Sequence, residues 1–237
     1  MIFAGPCLYI DETSAQEVYD TAKELANMGK VVYFRCKLWG GGTVPSRYFP
    51  GIGKHGLSLF DKIRELIPVG TEVQTPSQYK LCVEHVDYVW IGARNSQNYG
   101  LRKYILQARL EGKKIAYIIK RGFAMTVDEL YGLYDIDHPD YIIDRGILTI
   151  DPMPRSRFAP DLKGIIRIKN ERPDIFENII IDCSHSNFRK EYIKDTYIAF
   201  KAIGVNHFMF ECTATGQSIT DQEHMLSVQE FNEILGE

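Results

Sequence analysis

The sequence predicts a single-domain α/β protein, a closed (β/α)8 barrel of the TIM type, and three observations carry that expectation. Eight short apolar, β-branched runs recur along the chain: Ile2–Cys7, Val31–Leu38, Thr71–Thr75, Tyr88–Ala93, Ile115–Lys120, Tyr141–Arg145, Ile179–Cys183 and Phe208–Cys212. Helix-like segments separate them. The length of 237 residues suits one catalytic barrel over residues 1–237. Nearly continuous apolar runs read as strands covered on both faces, and strand–helix alternation repeated eight times predicts a parallel sheet that closes.

The helices are read from periodicity and start signals. Ser14–Met28 opens with Ser14 and carries Glu17 three residues on, the spacing of a capping box. Thr126–Tyr134 opens in the same way on Thr126, and Asn98–Glu111 and Arg189–Ile203 are amphipathic. Two stretches depart from the rhythm. Trp39–Gly56 is rich in Gly, Pro and aromatics and is longer than an ordinary βα loop. Asp151–Lys163 holds Pro152, Pro154, Pro160, Arg155 and Arg157. Both follow strands, which in a barrel places them on the C-terminal face with the catalytic loops.

A net charge of −3 implies no general attraction to nucleic acid or to anionic membranes, so an anionic ligand needs a local basic site. The start Met1-Ile2-Phe3-Ala4-Gly5-Pro6 has neither the basic flank nor the apolar run of a signal peptide or membrane span. Five cysteines without a CxxC pair read as reduced thiols. A cytoplasmic protein is expected, working on small molecules, as a homo-oligomer.

The informative residues stand where the strands end. One set is basic: Arg35, Arg94, Lys120 and Arg145. Four cations at one barrel mouth repel one another unless an anion sits among them, and a ligand bearing phosphate and carboxylate fits guanidinium groups. The structural alternative pairs each arginine with a nearby acid such as Asp144 or Asp182. The second set is Cys7, His185, Glu211 and Asp221. Thiolate, imidazole and carboxylate together suit a borderline divalent ion (Mn, Fe, Co, Zn or Cu) rather than Mg or Ca. The alternative makes Cys7 a small buried hydrophobe and leaves the His185 ring satisfied by Ser184 or Ser186.

At these residues the sequence resembles the class I 3-deoxy-D-arabino-heptulosonate 7-phosphate (DAHP) synthases, the first enzymes of the shikimate pathway to the aromatic amino acids, and their relative 3-deoxy-D-manno-octulosonate 8-phosphate synthase. Ala4-Gly5-Pro6-Cys7 resembles the family's first strand, with its metal cysteine. Ile91-Gly92-Ala93-Arg94-Asn95-Ser96-Gln97-Asn98 resembles its most specific motif, with an arginine for the phosphoenolpyruvate phosphate. Lys120-Arg121-Gly122 and Asp144-Arg145-Gly146 resemble two further phosphoenolpyruvate segments. Ile181-Asp182-Cys183-Ser184-His185 resembles the segment with the metal histidine, and Glu211 and Gln217-Ser218-Ile219-Thr220-Asp221 those with the last two ligands. Arg35 and Glu72 fall where the family has another phosphoenolpyruvate arginine and a glutamate.

The resemblance implies a metal-dependent transferase, a 3-deoxy-7-phosphoheptulonate synthase. It would join phosphoenolpyruvate to an aldose phosphate, erythrose 4-phosphate by first choice, and release inorganic phosphate. Lys120 and Glu72 would handle protons, and His185 would serve as a neutral ligand. The chain resembles a catalytic core with no regulatory extension. Two segments depart from the family: Gly40-Gly41-Gly42-Thr43 stands where Lys-Pro-Arg-Thr is usual, and the stretch between Glu211 and Asp221 is shortened. Thr43 and Arg47 are therefore the acceptor candidates, with Lys37 or the Arg155–Arg157 loop as compensating cations. Two further readings follow: the same chemistry on another aldehyde, or a non-catalytic phosphoenolpyruvate-binding homologue.

Overall fold

The computed structural model describes residues 1–30, 32–40, 49–112, 115–149 and 158–236. Among these the strands in chain order are β1 (Ile2–Gly5), β2 (Val32–Arg35), β3 (Val69–Glu72), β4 (Tyr88–Ile91), β5 (Ala116–Lys120), β6 (Tyr141–Asp144), β7 (Ile147–Leu148), β8 (Phe158–Ala159), β9 (Ile179–Asp182), β10 (His207–Thr213) and β11 (Leu226–Ser227). The helices are α1 (Ala15–Asn27), α2 (Leu57–Arg64), α3 (Pro76–Cys82), α4 (Tyr99–Leu110), α5 (Val127–Asp137), α6 (Leu162–Glu171), α7 (Pro173–Phe176), α8 (Cys183–Asn187), α9 (Ile193–Ala202) and α10 (Val228–Leu235).

Eight parallel strands, β1-β2-β3-β4-β5-β6-β9-β10, pair in that order, and β10 pairs back with β1 to close a (β/α)8 barrel. Each of the eight predicted runs overlaps one of them; β3 begins at Val69, two residues before the predicted Thr71, and β10 runs one residue past Phe208–Cys212 at each end. Side chains alternate across each strand, so the two faces have separate cores. Phe3, Tyr88, Trp90, Ile118, Ile143, Ile180 and Met209 fill the barrel interior. Their neighbours Ala4, Val89, Ile91, Tyr117, Ile119, Ile142, Ile179 and Ile181 face outward and join the larger core under the helices. Closure sets Gly5 opposite Glu211. Gly5 has φ +146°, and a β-carbon there would lie 2.4 Å from the Arg35 carbonyl oxygen. The glycine thus lets the end of β1, with Cys7 just beyond it, run tightly beside β2.

Two local expectations are corrected by specific hydrogen bonds. β3 stops at Glu72 rather than Thr75, because Thr75 caps α3, accepting from Gln78 N at 3.2 Å ahead of Pro76. Ser14 does not cap α1 with its side chain. Asp11 caps a preceding 3-10 turn, and Ser14 closes that capping box by bonding back to Asp11. The Thr126–Glu129 capping box does form, at 2.7 and 3.2 Å. The short antiparallel pairing of β7 with β8, at two residues a strand, is too brief to leave a periodic signal. Among the described residues no helix is long and apolar enough to cross a membrane.

Helices α4 and α5 are tied through the core by charge. Arg102 donates Nε to Asp137 Oδ2 at 2.9 Å and Nη2 to Oδ1 at 2.8 Å, with both side chains 1% exposed. Removing one partner of such a pair leaves a buried charge uncompensated. Arg102→Met is therefore expected to cost about 3–5 kcal/mol in denaturant unfolding. A loss within error of zero would show that this pair contributes nothing to the fold.

Candidate active site and metal centre

The C-terminal rim of the barrel collects the predicted residues from several strands. Cys7 follows β1, His185 sits in α8 directly after β9, Glu211 lies in β10, and Asp221 follows β10 in a left-handed turn with φ +56°. One donor atom of each lies within 4.8 Å of the others. Cys7 Sγ is 2.9 Å from Asp221 Oδ2, and His185 Nε2 is 3.4 Å from Glu211 Oε1. Cys7 and Glu211 are buried, and His185 and Asp221 partly so.

The His185 ring is set by Asp182, not by either neighbouring serine. Asp182 caps α8 through Oδ1, which accepts from the His185 backbone N–H at 3.0 Å. Its Oδ2 is 2.8 Å from His185 Nδ1. A carboxylate only accepts, so the ring proton sits on Nδ1 and the Nε2 lone pair faces the cluster. Burial pushes the His185 pKa down to about 4, opposed by Asp182 and Glu211, so the ring is neutral at physiological pH. Burial also raises the Cys7 thiol well above its usual range, and Glu211 adds to the rise. One soft donor, one neutral imidazole and two carboxylates, converging and buried, fit a borderline divalent ion.

Beside this cluster lies the basic set. Arg145, just past β6, is buried with its guanidinium 4.2 Å from the Phe158 ring centroid. Its Nε and Nη2 have no hydrogen-bond partner among the described residues. Burial lowers its pKa, Arg94 lowers it further, and Asp182 opposes both. Arg94 is exposed on the 3-10 turn after β4. Lys120, at the end of β5, is buried and donates to Asp182, and its Nζ lies 3.5 Å from His185 Nδ1. Burial lowers its pKa against the pull of Asp182.

Other candidates stand differently. Arg35 is committed to Glu211 Oε1 at 2.6 Å and to the Pro6 carbonyl at 3.1 Å. Glu72 is buried and accepts from Trp90 Nε1 at 3.2 Å. Of the acids named as alternative partners, Asp144 holds Arg121, which is outside the basic set, and Asp182 holds Lys120, which is a member of it. Thr43, Arg47 and the Arg155–Arg157 loop lie outside the described residues. Gly40 lies within them. A β-carbon there would fall 1.3 Å from the Phe49 carbonyl oxygen, so this backbone path excludes a side chain. Lys37 follows β2 with its backbone bonded to Cys7 and Tyr9. Burial opposes its charge, yet Cys7, Glu72 and Glu211 outweigh burial and hold its pKa above the usual lysine value. Sequence reading passed over His224, whose Nε2 lies 2.8 Å from Glu211 Oε2. Its only linear signal is a place three residues after Asp221.

A family model described as the DAHP synthetase I family matches residues 1–236. Phospho-2-dehydro-3-deoxyheptonate aldolase of Thermotoga maritima is 27% identical over 247 aligned residues, covering all of this chain and 68% of the relative. The crystal structure of that enzyme (DAHP synthase) from Thermotoga maritima superposes with a TM-score of 0.83 at 24% identity, over all of this chain and 67% of the other. A truncated form of the 3-deoxy-D-arabino-heptulosonate 7-phosphate synthase from Thermotoga maritima gives 0.80 at 23%, over 84% of that chain. These two structures are similar in fold. The family match over residues 1–236 establishes that the chain belongs to the DAHP synthetase I family, as a transferase of the 3-deoxy-7-phosphoheptulonate synthase type.

Proposed function

We propose that this protein condenses phosphoenolpyruvate with an aldose phosphate, erythrose 4-phosphate by first choice, and releases inorganic phosphate. The observation that carries the reading is the adjacency of two unlike features on one rim. One is the four-donor cluster, with Cys7 and Glu211 buried and His185 and Asp221 partly so. The other is Arg145, whose buried Nε and Nη2 lack partners among the described residues. Donors buried without partners cost free energy unless a ligand satisfies them. An anion spanning Arg94, Lys120 and Arg145 does so, and a phosphate with a neighbouring carboxylate offers enough acceptors for all three. A divalent ion held by Cys7, His185, Glu211 and Asp221 would supply Lewis acidity toward an aldehyde oxygen.

The protein's own part is positioning and proton control. Holding the donor by phosphate and carboxylate turns a bimolecular encounter into an oriented one. The donor's C3 then forms a bond to the aldehyde carbon, water adds at C2, and phosphate departs. Lys120 is the group for proton transfer near C2, since burial disfavours its charged form. Glu72 lies within the field of Lys37 and is the second candidate.

Gly40 favours a second reading for the acceptor alone. With no side chain at that position, Lys37 is the described cation beside Cys7 and Glu72 that is available to an aldehyde or its phosphate. Arg47 remains the alternative. A phosphate-release assay with Mn, phosphoenolpyruvate and a panel of aldehydes tests the activity. Release with erythrose 4-phosphate is expected, release only with another aldehyde supports the second reading, and no release with any aldehyde sinks both.

Three outcomes follow. Cys7 is a thiol before metal uptake, and ligation needs the thiolate. Each ion bound should release about one proton, so affinity rises with pH. Calorimetry in buffers of different ionisation enthalpy measures this, and zero proton release would remove Cys7 from the ligand set. Arg94→Ala should weaken phosphoenolpyruvate binding by about 1.5–3 kcal/mol, measured by calorimetry. Losing a charged donor costs about 1.5–3 kcal/mol, so Lys37→Ala should raise the KM for the aldehyde about tenfold or more with phosphoenolpyruvate binding spared. If Arg47→Ala shows that pattern and Lys37→Ala does not, the acceptor contact belongs to Arg47.

A further inference from the structure

His224 is fully buried, and nothing in the chemistry above uses it. It ends the 3-10 turn Gln222–His224, which starts immediately after Asp221. The left-handed backbone of Asp221 turns the chain there, so one short segment carries Asp221 to Cys7 and the His224 ring to Glu211. The ring stands edge-on to Phe188, with centroids 5.2 Å apart, and 5.3 Å from the His185 ring. Its Nε2 is 2.8 Å from Glu211 Oε2, and its Nδ1 is buried with no partner among the described residues. A carboxylate only accepts, so the hydrogen in that contact is on Nε2. The ring therefore has one polar function, donation to Glu211.

Glu211 needs that donor because its two oxygens are held from opposite sides. Oε1 accepts from Arg35 Nη1 at 2.6 Å and faces His185 Nε2 at 3.4 Å. Oε2 has His224. With both oxygens engaged the carboxylate cannot rotate, and each still has acceptor capacity. We propose that His224 is a positioning residue of the divalent-cation site, fixing the Glu211 carboxylate in the orientation that completes the set of Cys7, His185 and Asp221. This rests on the metal reading given under the proposed function. Hydrogen-bond partners behind metal ligands set ligand orientation, and losing one typically costs about 10–100-fold in metal affinity.

The test is Mn(II) affinity by calorimetry, together with the metal-free melting temperature, for wild type, His224→Gln and His224→Asn. Glutamine can place an N–H near the position of Nε2. Asparagine reaches only to the position of Nδ1. His224→Asn is expected to bind Mn about tenfold or more weakly, and His224→Gln is expected to restore most of the affinity. If His224→Asn does not fold, His224→Phe keeps a ring beside Phe188, removes the donor and is expected to show the same loss. Donor-free variants that bind Mn like wild type would overturn the inference, as would a change in melting temperature with affinity unmoved. A wild-type protein that takes up no Mn overturns the metal reading itself, and this inference with it.

Discussion

The Glu211 carboxylate is the group around which the rim is organised. It is fully buried, and burial by itself favours its neutral acid, but the charge of Arg35 and the hydrogen bond from His224 outweigh that cost and hold it as an anion. Its backbone is fixed as well: Glu211 N–H donates to Ser184 Oγ at 2.9 Å, tying β10 to the start of α8. Through this one residue β1, β2, β9, β10 and the turn at Asp221 are brought into register. A buried charge demands partners, and the partners here come from distant parts of the chain.

The same logic explains why the cations occupy two different electrostatic situations. Arg35 and Lys120 are paired with Glu211 and Asp182, so each offsets a buried acid. Arg145 is not neutralised in this way. It packs on Phe158, its Nε and Nη2 lack partners among the described residues, and its charge is disfavoured by burial and by Arg94. The rim thus has a compensated part near the four-donor cluster and, at Arg145, a basic part with donors unsatisfied among the described residues. The first fits a cation, and the second fits an anion.

Asp182 couples these parts. One of its oxygens caps α8, and the other is shared between Lys120 and His185. A single carboxylate thereby fixes a helix start, the histidine tautomer and the position of the lysine. This economy is available because β9 ends in Asp182 with α8 following at once, so cap, ligand and partner lie within four residues.

The barrel was legible from the sequence because its signal is additive. Eight β-branched runs separated by helix-like segments survive an error of a few residues at any boundary, as β3 illustrates. The residue types at the strand ends were legible for a related reason. The C-terminal rim of a barrel gathers strand-end side chains, so Cys7, Arg94, Lys120, Arg145, His185 and Glu211 could be grouped without coordinates. The pairings among them were not legible. Arg35 with Glu211, Asp182 with Lys120, and His224 behind Glu211 span 176, 62 and 13 residues. No local periodicity encodes contacts at those separations, and several acids compete for each cation. Only closure of β10 onto β1 decided which acid each cation meets, and so which charges are offset and which stand ready for a ligand.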